Sequence, residues 1–277
     1  MTDALTVRGA LAQAGLAPID AQVLLGHVLV RDRAWLIAHA NDRLTAAQVE
    51  HFFRLARQRR DGEPVAYLTG QREFFGIPLY VERGVLIPRP ETETLVECVL
   101  RRLPLGRPVR MLDLGTGSGA IALAVARERP QAIVVAVDHS ENALAVARNN
   151  AERLGIANVE WVLADWFGTA AANGPFDAIV SNPPYVAAGD PHLHEGDVRF
   201  EPATALVSGA EGLDALRAIV AGAGDRLVAG GWLALEHGYD QREAVKTLLQ
   251  DSGFVDIELL RDLSGVPRVA AGRRDPS

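Results

Sequence analysis

The sequence predicts an α/β fold: a doubly wound, seven-stranded sheet whose last strand runs antiparallel, preceded by a small N-terminal helical bundle and a β-hairpin. Three observations predict it. From residue 108 onward, apolar strand-like runs alternate with helical stretches, the pattern of parallel strands joined by crossover helices. The first 70 residues carry helical periodicity and no convincing strand. The two final runs, "FVDIELL" and "RVAAGRR", are separated only by "RDLSGVP", too short for a parallel crossover, so they are expected to pair antiparallel.

In chain order, Ala21, Val23, Leu24, Leu25, Val28 and Leu29 make an apolar stripe after Asp20, which is expected to cap that helix. Thr45 and Gln48 have the spacing of a capping box ahead of Val49, Phe52, Phe53 and Leu55. Residues 1–72 are therefore expected to form a helical domain, and, since it shows no pocket chemistry, a substrate-docking or scaffold one. In "EFFGIPLYVERGVLIP", residues 73–88, two β-prone runs flank "ERG", which predicts a hairpin linker turning at Glu82–Gly84. The remainder, 89–277, opens on "RPETETLVECVLRRL", with Pro90 near a helix start, acids in the first turn and arginines in the last, as the helix dipole favours. The strands "VRMLDLG", "AIVVAVD", "NVEWVLAD" and "FDAIVSN" follow, with helices over 119–128 and 140–154 between the first three. A helix over 213–227 leads to "GGWLALEHG", and one over 240–252 leads to "FVDIELL".

Hydrophobic residues at 48 % and charged residues at 23 % describe a globular chain able to bury a core. The formal net charge is -7 and Lys246 is the sole lysine, which argues against a protein that grips long nucleic acid. The basic run "RLARQRR" at 54–60 reads as the solvated face of a helix. Asp3 stands where a secretory signal carries basic residues, and no stretch approaches the ~18 apolar residues of a membrane span. Cys98 is the sole cysteine, which excludes an internal disulfide. A cytoplasmic protein without membrane association is expected, and a monomer, since no sustained heptad appears.

"DLGTGSG" (113–119) closes the first strand of the alternating region and opens a helix. Gly115, Gly117 and Gly119 let the backbone turn tightly beside a ligand, and helix N-terminal N–H groups suit an anionic one. The spacing is G-x-G-x-G rather than the G-x-G-x-x-G of most dinucleotide sites. Asp138 ends the second strand, where an acid can accept both ribose hydroxyl protons. NAD remains open on these residues, but S-adenosylmethionine fits better, because its small amino-acid end needs only a short glycine turn. Asp165 and Trp166, after the third strand, offer an acceptor and a flat surface where adenine is expected.

After the fourth strand stands Asn182-Pro183-Pro184-Tyr185. A diproline has no backbone N–H and fixes φ twice, so it must leave the sheet. In the expected strand order this stretch faces the glycine turn across the crevice at the topological switch point. It offers no strong nucleophile or titrating base; its assets are acceptors, the Asn182 side-chain oxygen and the imide carbonyls. Two such acceptors can hold the protons of an NH2 group and aim its lone pair at an electrophile, with Tyr185 packing on the flat group that carries it. Attack discharges a sulfonium, so the chemistry requires no metal.

"NPPY" with "DLGTGSG" resembles the amino-methyltransferases of the Rossmann-like, S-adenosylmethionine-dependent fold. "YLTGQREFFG" (67–76), "LIPRPETE" (86–93), "DPHLHEGDVRFEP" (190–202), "GAEGLDALR" (209–217) and "LALEHGYDQ" (233–241) are similar to the HemK/PrmC family. That resemblance implies a protein-(glutamine-N5) methyltransferase acting on the Gly-Gly-Gln glutamine of class 1 peptide chain release factors, with S-adenosylhomocysteine as product. It implies cofactor contacts at Gly115, Thr116, Gly117, Ser118, Gly119, Asp138, Trp166 and Asn182, to which the residue reading adds Asp165. It implies that Asn182, Pro183, Pro184 and Tyr185 hold the glutamine, the catalytic set being Asn182, Pro183 and Tyr185, with Arg89 and Glu91 near the pocket mouth. "DLSGVPRVAAGR" departs from the family pattern, which more often has Gly-Asn-Asp before the last strand.

The alternative reading is an N-methyltransferase acting on an exocyclic amine of a DNA or RNA base; a third is a cofactor-sensing module without catalysis. Asp190, His192, His194, Glu195 and Asp197 include an H-x-H pair among acids, but no metal site is expected there; the loop is read as folding over a bound peptide. His237 is read as a structural histidine, and His139 as bordering the adenosine.

Overall fold

The computed structural model describes residues 5–276, so the expectation resting on Asp3 lies outside the described residues. The described chain makes two compact units, one within Met1–Gln71 plus His192–Phe200, the other within Arg72–Pro191 plus Glu201–Ser277.

The first unit carries α1 (Val7–Gln13), α2 (Pro18–Leu29), α3 (Arg33–Ala38), α4 (Ala46–Arg60) and α5 (Val65–Thr69). Val7, Leu24, Leu25, Leu36, Phe52 and Leu55 fill its core. The capping box of α4 is complete: Gln48 N donates to Thr45 Oγ1 at 3.3 Å and Thr45 N to Gln48 Oε1 at 2.9 Å. Asp20 does not cap α2. That helix starts earlier, at Pro18, whose fixed φ and missing N–H suit the first position, and Asp20 instead accepts from Arg59 Nε at 2.8 Å. Arg59 Nη1 also donates to Asp197 Oδ1 at 2.6 Å, and Arg199 Nη2 to the Asp61 carbonyl at 2.7 Å. The basic run is therefore only partly a solvated face: Arg54, Arg57 and Arg60 are exposed, while Arg59 is half-buried and gathers two acids.

A two-stranded sheet, β1 (Gln71–Phe74) and β2 (Ile77–Tyr80), leads into the second unit. Its turn is Phe75–Gly76, not Glu82–Gly84. Both Phe75 and Gly76 have positive φ, 51° and 70°, as a two-residue hairpin demands. "ERG" forms a separate turn closed by Val85 N donating to the Glu82 carbonyl at 3.3 Å.

Beyond it run α6 (Glu93–Arg102), β3 (Arg110–Leu114), α7 (Ala120–Glu128), β4 (Ile133–Asp138), α8 (Glu141–Leu154), β5 (Val159–Leu163), β6 (Phe176–Ser181), α9 (Asp214–Ala223), β7 (Leu227–Glu236), α10 (Arg242–Asp251), β8 (Phe254–Arg261) and β9 (Pro267–Arg274). The seven-stranded sheet has the order β5-β4-β3-β6-β7-β9-β8. Strands β3 to β7 pair in parallel, and β9 is antiparallel to both its neighbours. Helix α9 stops at Ala223 rather than 227, because Leu227 already pairs with Phe176.

Alternate strand residues feed two cores. Met111, Val134, Ala136, Ala178 and Val180 face α6 and α7, whereas Leu112, Leu114, Val135, Val137 and Ile179 face α9 and α10. Each fully buried Leu or Ile contributes about 1.5–3 kcal/mol, so the sheet is stiff where its strands end. The chain runs from β3 outward through β4 and β5, then returns to β6 on the other side of β3. That reversal is the switch point, and the Ser181 hydroxyl clamps it by donating to the Leu114 carbonyl at 2.6 Å. No helix of the described residues is long and apolar enough to cross a membrane.

Candidate active site

A cavity of ≈ 580 Å³ opens at the carboxyl ends of β3, β4 and β6. Among the residues expected to act, it is lined by Gly115, Thr116, Gly117, Ser118, Asp138, Asp165, Trp166, Asn182, Pro184 and Arg89. Gly119, Pro183, Tyr185 and Glu91 are not part of its lining.

The glycine turn is held from below. Gly115 N and Thr116 N both donate to the Val137 carbonyl, at 2.8 and 3.0 Å. The Thr116 hydroxyl donates to Asp113 Oδ2 at 2.6 Å. Asp113 is wholly buried, which pushes its carboxyl up to about 7 against the pull of that hydroxyl. The glycines then divide their work. A Cβ on Gly117 would meet nothing within 4 Å, so that position faces open cavity. A Cβ on Gly119 would stand 3.1 Å from Leu123 and Trp161 and 3.2 Å from Ala147, so this glycine lets α7 approach its neighbours. Both have positive φ, 57° and 82°. Gly117→Ala is expected to cost about 1–2 kcal/mol of stability from backbone strain, and Gly119→Ala measurably more, from strain plus contact. Denaturant unfolding of the two variants checks the ranking.

Asp138 is buried at 6 % exposure, with Gly117 N donating to its Oδ2 at 2.8 Å and Ser140 N to its Oδ1 at 2.9 Å. A carboxylate offers about four acceptor positions, so one on each oxygen remains for two hydroxyls. Trp166 stands in the left-handed region at φ 43°, unusual for a bulky residue, with its ring edge 3.5 Å from where a Gly115 Cβ would lie. The ring also packs against the core beneath α9, so it serves structure and cavity wall together. His139 lines the cavity and is exposed.

Across the switch point, Asn182 Nδ2 donates to Thr92 Oγ1 at 3.1 Å, and Thr92 Oγ1 donates to Glu236 Oε2 at 2.6 Å. Tyr185 OH donates to Glu236 Oε1 at 3.0 Å, and its carbonyl accepts from Gln241 Nε2 at 2.9 Å. With its amide nitrogen thus committed, Asn182 turns its oxygen away from Thr92, and no described residue donates to that oxygen. Glu236 is 1 % exposed; burial pushes its carboxyl up to about 7, with the Thr92 and Tyr185 hydroxyls and Arg268 opposing. Burial and the Glu236 charge hold the Tyr185 phenol well above its usual range.

Arg89 is paired with Glu201, whose other oxygen accepts from Ile87 N at 3.0 Å. Asn150 on α8 joins the hairpin to the glycine turn: its Oδ1 accepts from Tyr80 N at 2.7 Å, and its Nδ2 donates to the Tyr80 and Ser118 carbonyls, each at 3.0 Å. His237 is buried, its Nδ1–H donating to the Gly238 carbonyl at 2.8 Å, while Nε2 has no partner among the described residues; burial lowers its pKa and keeps the ring neutral.

Thr92, Glu236, Glu201, Asn150 and Asp113 received no role from sequence. The available signal was a carboxylate or amide inside an apolar run, as in "WLALE" and "MLDL", since such a group is buried only when it is partnered. Among the described residues no group of three or more His, Cys, Asp or Glu side chains could hold a metal ion.

Two family models match the chain: the PrmC N-terminal domain over residues 6–70 and the methyltransferase small domain over residues 91–206. The chain is 52 % identical over 255 residues to the release factor glutamine methyltransferase of Xylella fastidiosa (strain Temecula1), covering 92 % of each chain. It is 48 % identical over 254 residues to the release factor glutamine methyltransferase of Escherichia coli K12, covering 92 % of this chain and 91 % of that one. A methyltransferase crystal structure from Pyrococcus furiosus shares the fold at a TM-score of 0.55 and 20 % identity, over 79 % of this chain and 98 % of that one.

Proposed function

The chain belongs to the release factor glutamine methyltransferase family, and we propose that it transfers the methyl group of S-adenosylmethionine to the side-chain amide nitrogen of the Gly-Gly-Gln glutamine in class 1 peptide chain release factors. The observation that carries this reading is the Asn182 oxygen, to which no described residue donates, in a cavity that also holds the glycine turn and Asp138.

The residues present fit the cofactor. Gly117 leaves a cradle that a side chain would fill, and Asp138 retains two acceptor positions for ribose hydroxyls. Asp165 and Trp166 supply a polar group and a flat wall for the adenine. Bound there, S-adenosylmethionine supplies an electrophilic methyl on a sulfonium.

An amide nitrogen is a poor nucleophile because its lone pair is delocalised into the carbonyl. Asn182 Oδ1 and an imide carbonyl of the Asn182–Pro184 stretch accept hydrogen bonds from its two N–H groups, which favours a pyramidal nitrogen with its lone pair free to point at the methyl; as the N–C bond forms and the C–S bond breaks, one of those protons is released to solvent. The proline rings keep these acceptors from following the substrate, so little reorganisation is left for the reaction itself. Tyr185 anchors the loop to the end of β7 through Glu236, and Arg89, fixed by Glu201, stands at the cavity wall.

Radiolabelled S-adenosylmethionine incubated with the protein and a class 1 release factor is expected to label the tripeptide's glutamine. A Gln→Ala release factor that takes up label equally would overturn the assignment, and label lost on nuclease treatment would point to a nucleic-acid base instead.

A further inference from the structure

The chain Asn182–Thr92–Glu236 joins three elements, the loop after β6, the turn before α6 and the end of β7, and only Asn182 and Thr92 of the three reach the cavity. A threonine hydroxyl has one proton. Whichever neighbour receives that proton, the other must approach the oxygen as a donor. Glu236 receives hydroxyl protons on both oxygens, from Thr92 and from Tyr185, and an ionised carboxylate is the one side chain of this shape that accepts at both ends.

We propose that Glu236 is a positioning residue for the transfer: by accepting the Thr92 proton it makes Thr92 an acceptor, obliges Asn182 to present its NH2 there, and so dedicates the Asn182 oxygen to the substrate amide. The inference rests on the function proposed above and deepens it. Asparagine oxygen and nitrogen have nearly the same shape, and inverting the amide would offer the substrate a donor where an acceptor is needed. The carboxylate therefore writes the polarity of the site from outside the cavity.

Protonating Glu236 inverts the logic. The acid donates to Thr92, Thr92 donates toward Asn182, and the stable arrangement places the Asn182 oxygen on Thr92. The groups that act on Glu236 are the Thr92 and Tyr185 hydroxyls and Arg268 of β9, which favour the ionised form, and Glu91, which opposes it. His237, next along the chain, stays neutral, and Arg89 acts on Tyr185. With burial raising the Glu236 carboxyl to about 7, turnover is expected to fall as pH drops through that region, because the ionised form is the active one.

The test uses the full chain, radiolabelled S-adenosylmethionine and a purified class 1 release factor. Thr92→Val, which keeps shape and removes the hydroxyl, is expected to lower kcat about 10-fold or more with cofactor affinity unchanged, and Thr92→Ser to return it to within about 3-fold of wild type. Glu236→Gln can accept from Thr92 or from Tyr185 but not from both, so its acid limb is expected to vanish. The Asn182 side-chain NH2 resonance, assigned by its loss in Asn182→Ala, is expected to titrate in wild type and not in Glu236→Gln. Full turnover in Thr92→Val, an unaltered acid limb in Glu236→Gln, or a pH-independent Asn182 resonance would each overturn the inference. If wild type transfers no label to the release factor, the proposed function fails while the resonance still judges the chain of hydrogen bonds.

Discussion

Asn182→Ala is expected to lower kcat about 10²–10³-fold while the affinity for S-adenosylmethionine shifts by no more than about 3-fold. Among the described residues the side chain donates a single hydrogen bond, to Thr92 at 3.1 Å, and that bond orients it rather than holding the loop. Loop geometry is set by Pro183 and Pro184, by Tyr185 on Glu236, and by the Gln241 bond to the Tyr185 carbonyl. Alanine therefore removes an acceptor from a wall that keeps its shape. What disappears is the grip on one amide proton, felt where the nitrogen is being rehybridised. Steady-state kinetics with both substrates varied, alongside calorimetric cofactor titration, separate the two quantities. Wild-type turnover would mean that the asparagine oxygen takes no part in the reaction.

Asn150→Leu is expected to give the largest loss of stability of any single polar substitution considered, about 3–5 kcal/mol. Leucine has similar volume but leaves Tyr80 N, the Tyr80 carbonyl and the Ser118 carbonyl without the partners they now find at 2.7–3.0 Å. Each lost bond to a buried group costs about 1–3 kcal/mol. Because Ser118 belongs to the glycine turn, cofactor binding is expected to weaken as well. Denaturant unfolding, followed by tryptophan fluorescence, measures the first effect and calorimetry the second. A variant within about 0.5 kcal/mol of wild type would show that water replaces the amide there.

The architecture was legible because its signals are local. Strand–helix alternation after residue 108, the Thr45–Gln48 capping box and the short "RDLSGVP" link each need only a few neighbouring residues to be read. Gly115–Ser118 of "DLGTGSG" and Asn182 and Pro184 of "NPPY" reach one cavity, and each motif could be singled out because it is contiguous; Gly119, Pro183 and Tyr185 of the same motifs lie outside that lining. Thr92, Glu236 and Asn150 act through partners 32 to 144 residues away, and no spacing within one segment reveals such a pairing. The hairpin turn was misplaced for a different reason. Glu82–Gly84 looks like a turn by composition, whereas the true turn puts Phe75 at φ 51°, a conformation rarely taken by an aromatic residue. Asp20 misled similarly: it has the chemistry of a cap, but Pro18 fixes the start of the helix and Arg59 claims the carboxylate.

The nine-residue stretch His192–Phe200, grouped with the helices though it lies far along the chain, makes the two units inseparable by a single cut. Removing everything before Gln71 would strand Asp197 without Arg59 and take from Arg199 the Asp61 carbonyl it binds. Grafting a foreign recognition module onto this catalyst therefore calls for two splices, the second within a few residues of the Glu201 that braces Arg89. Lineages that diversify by shuffling whole cassettes would find this one hard to trade.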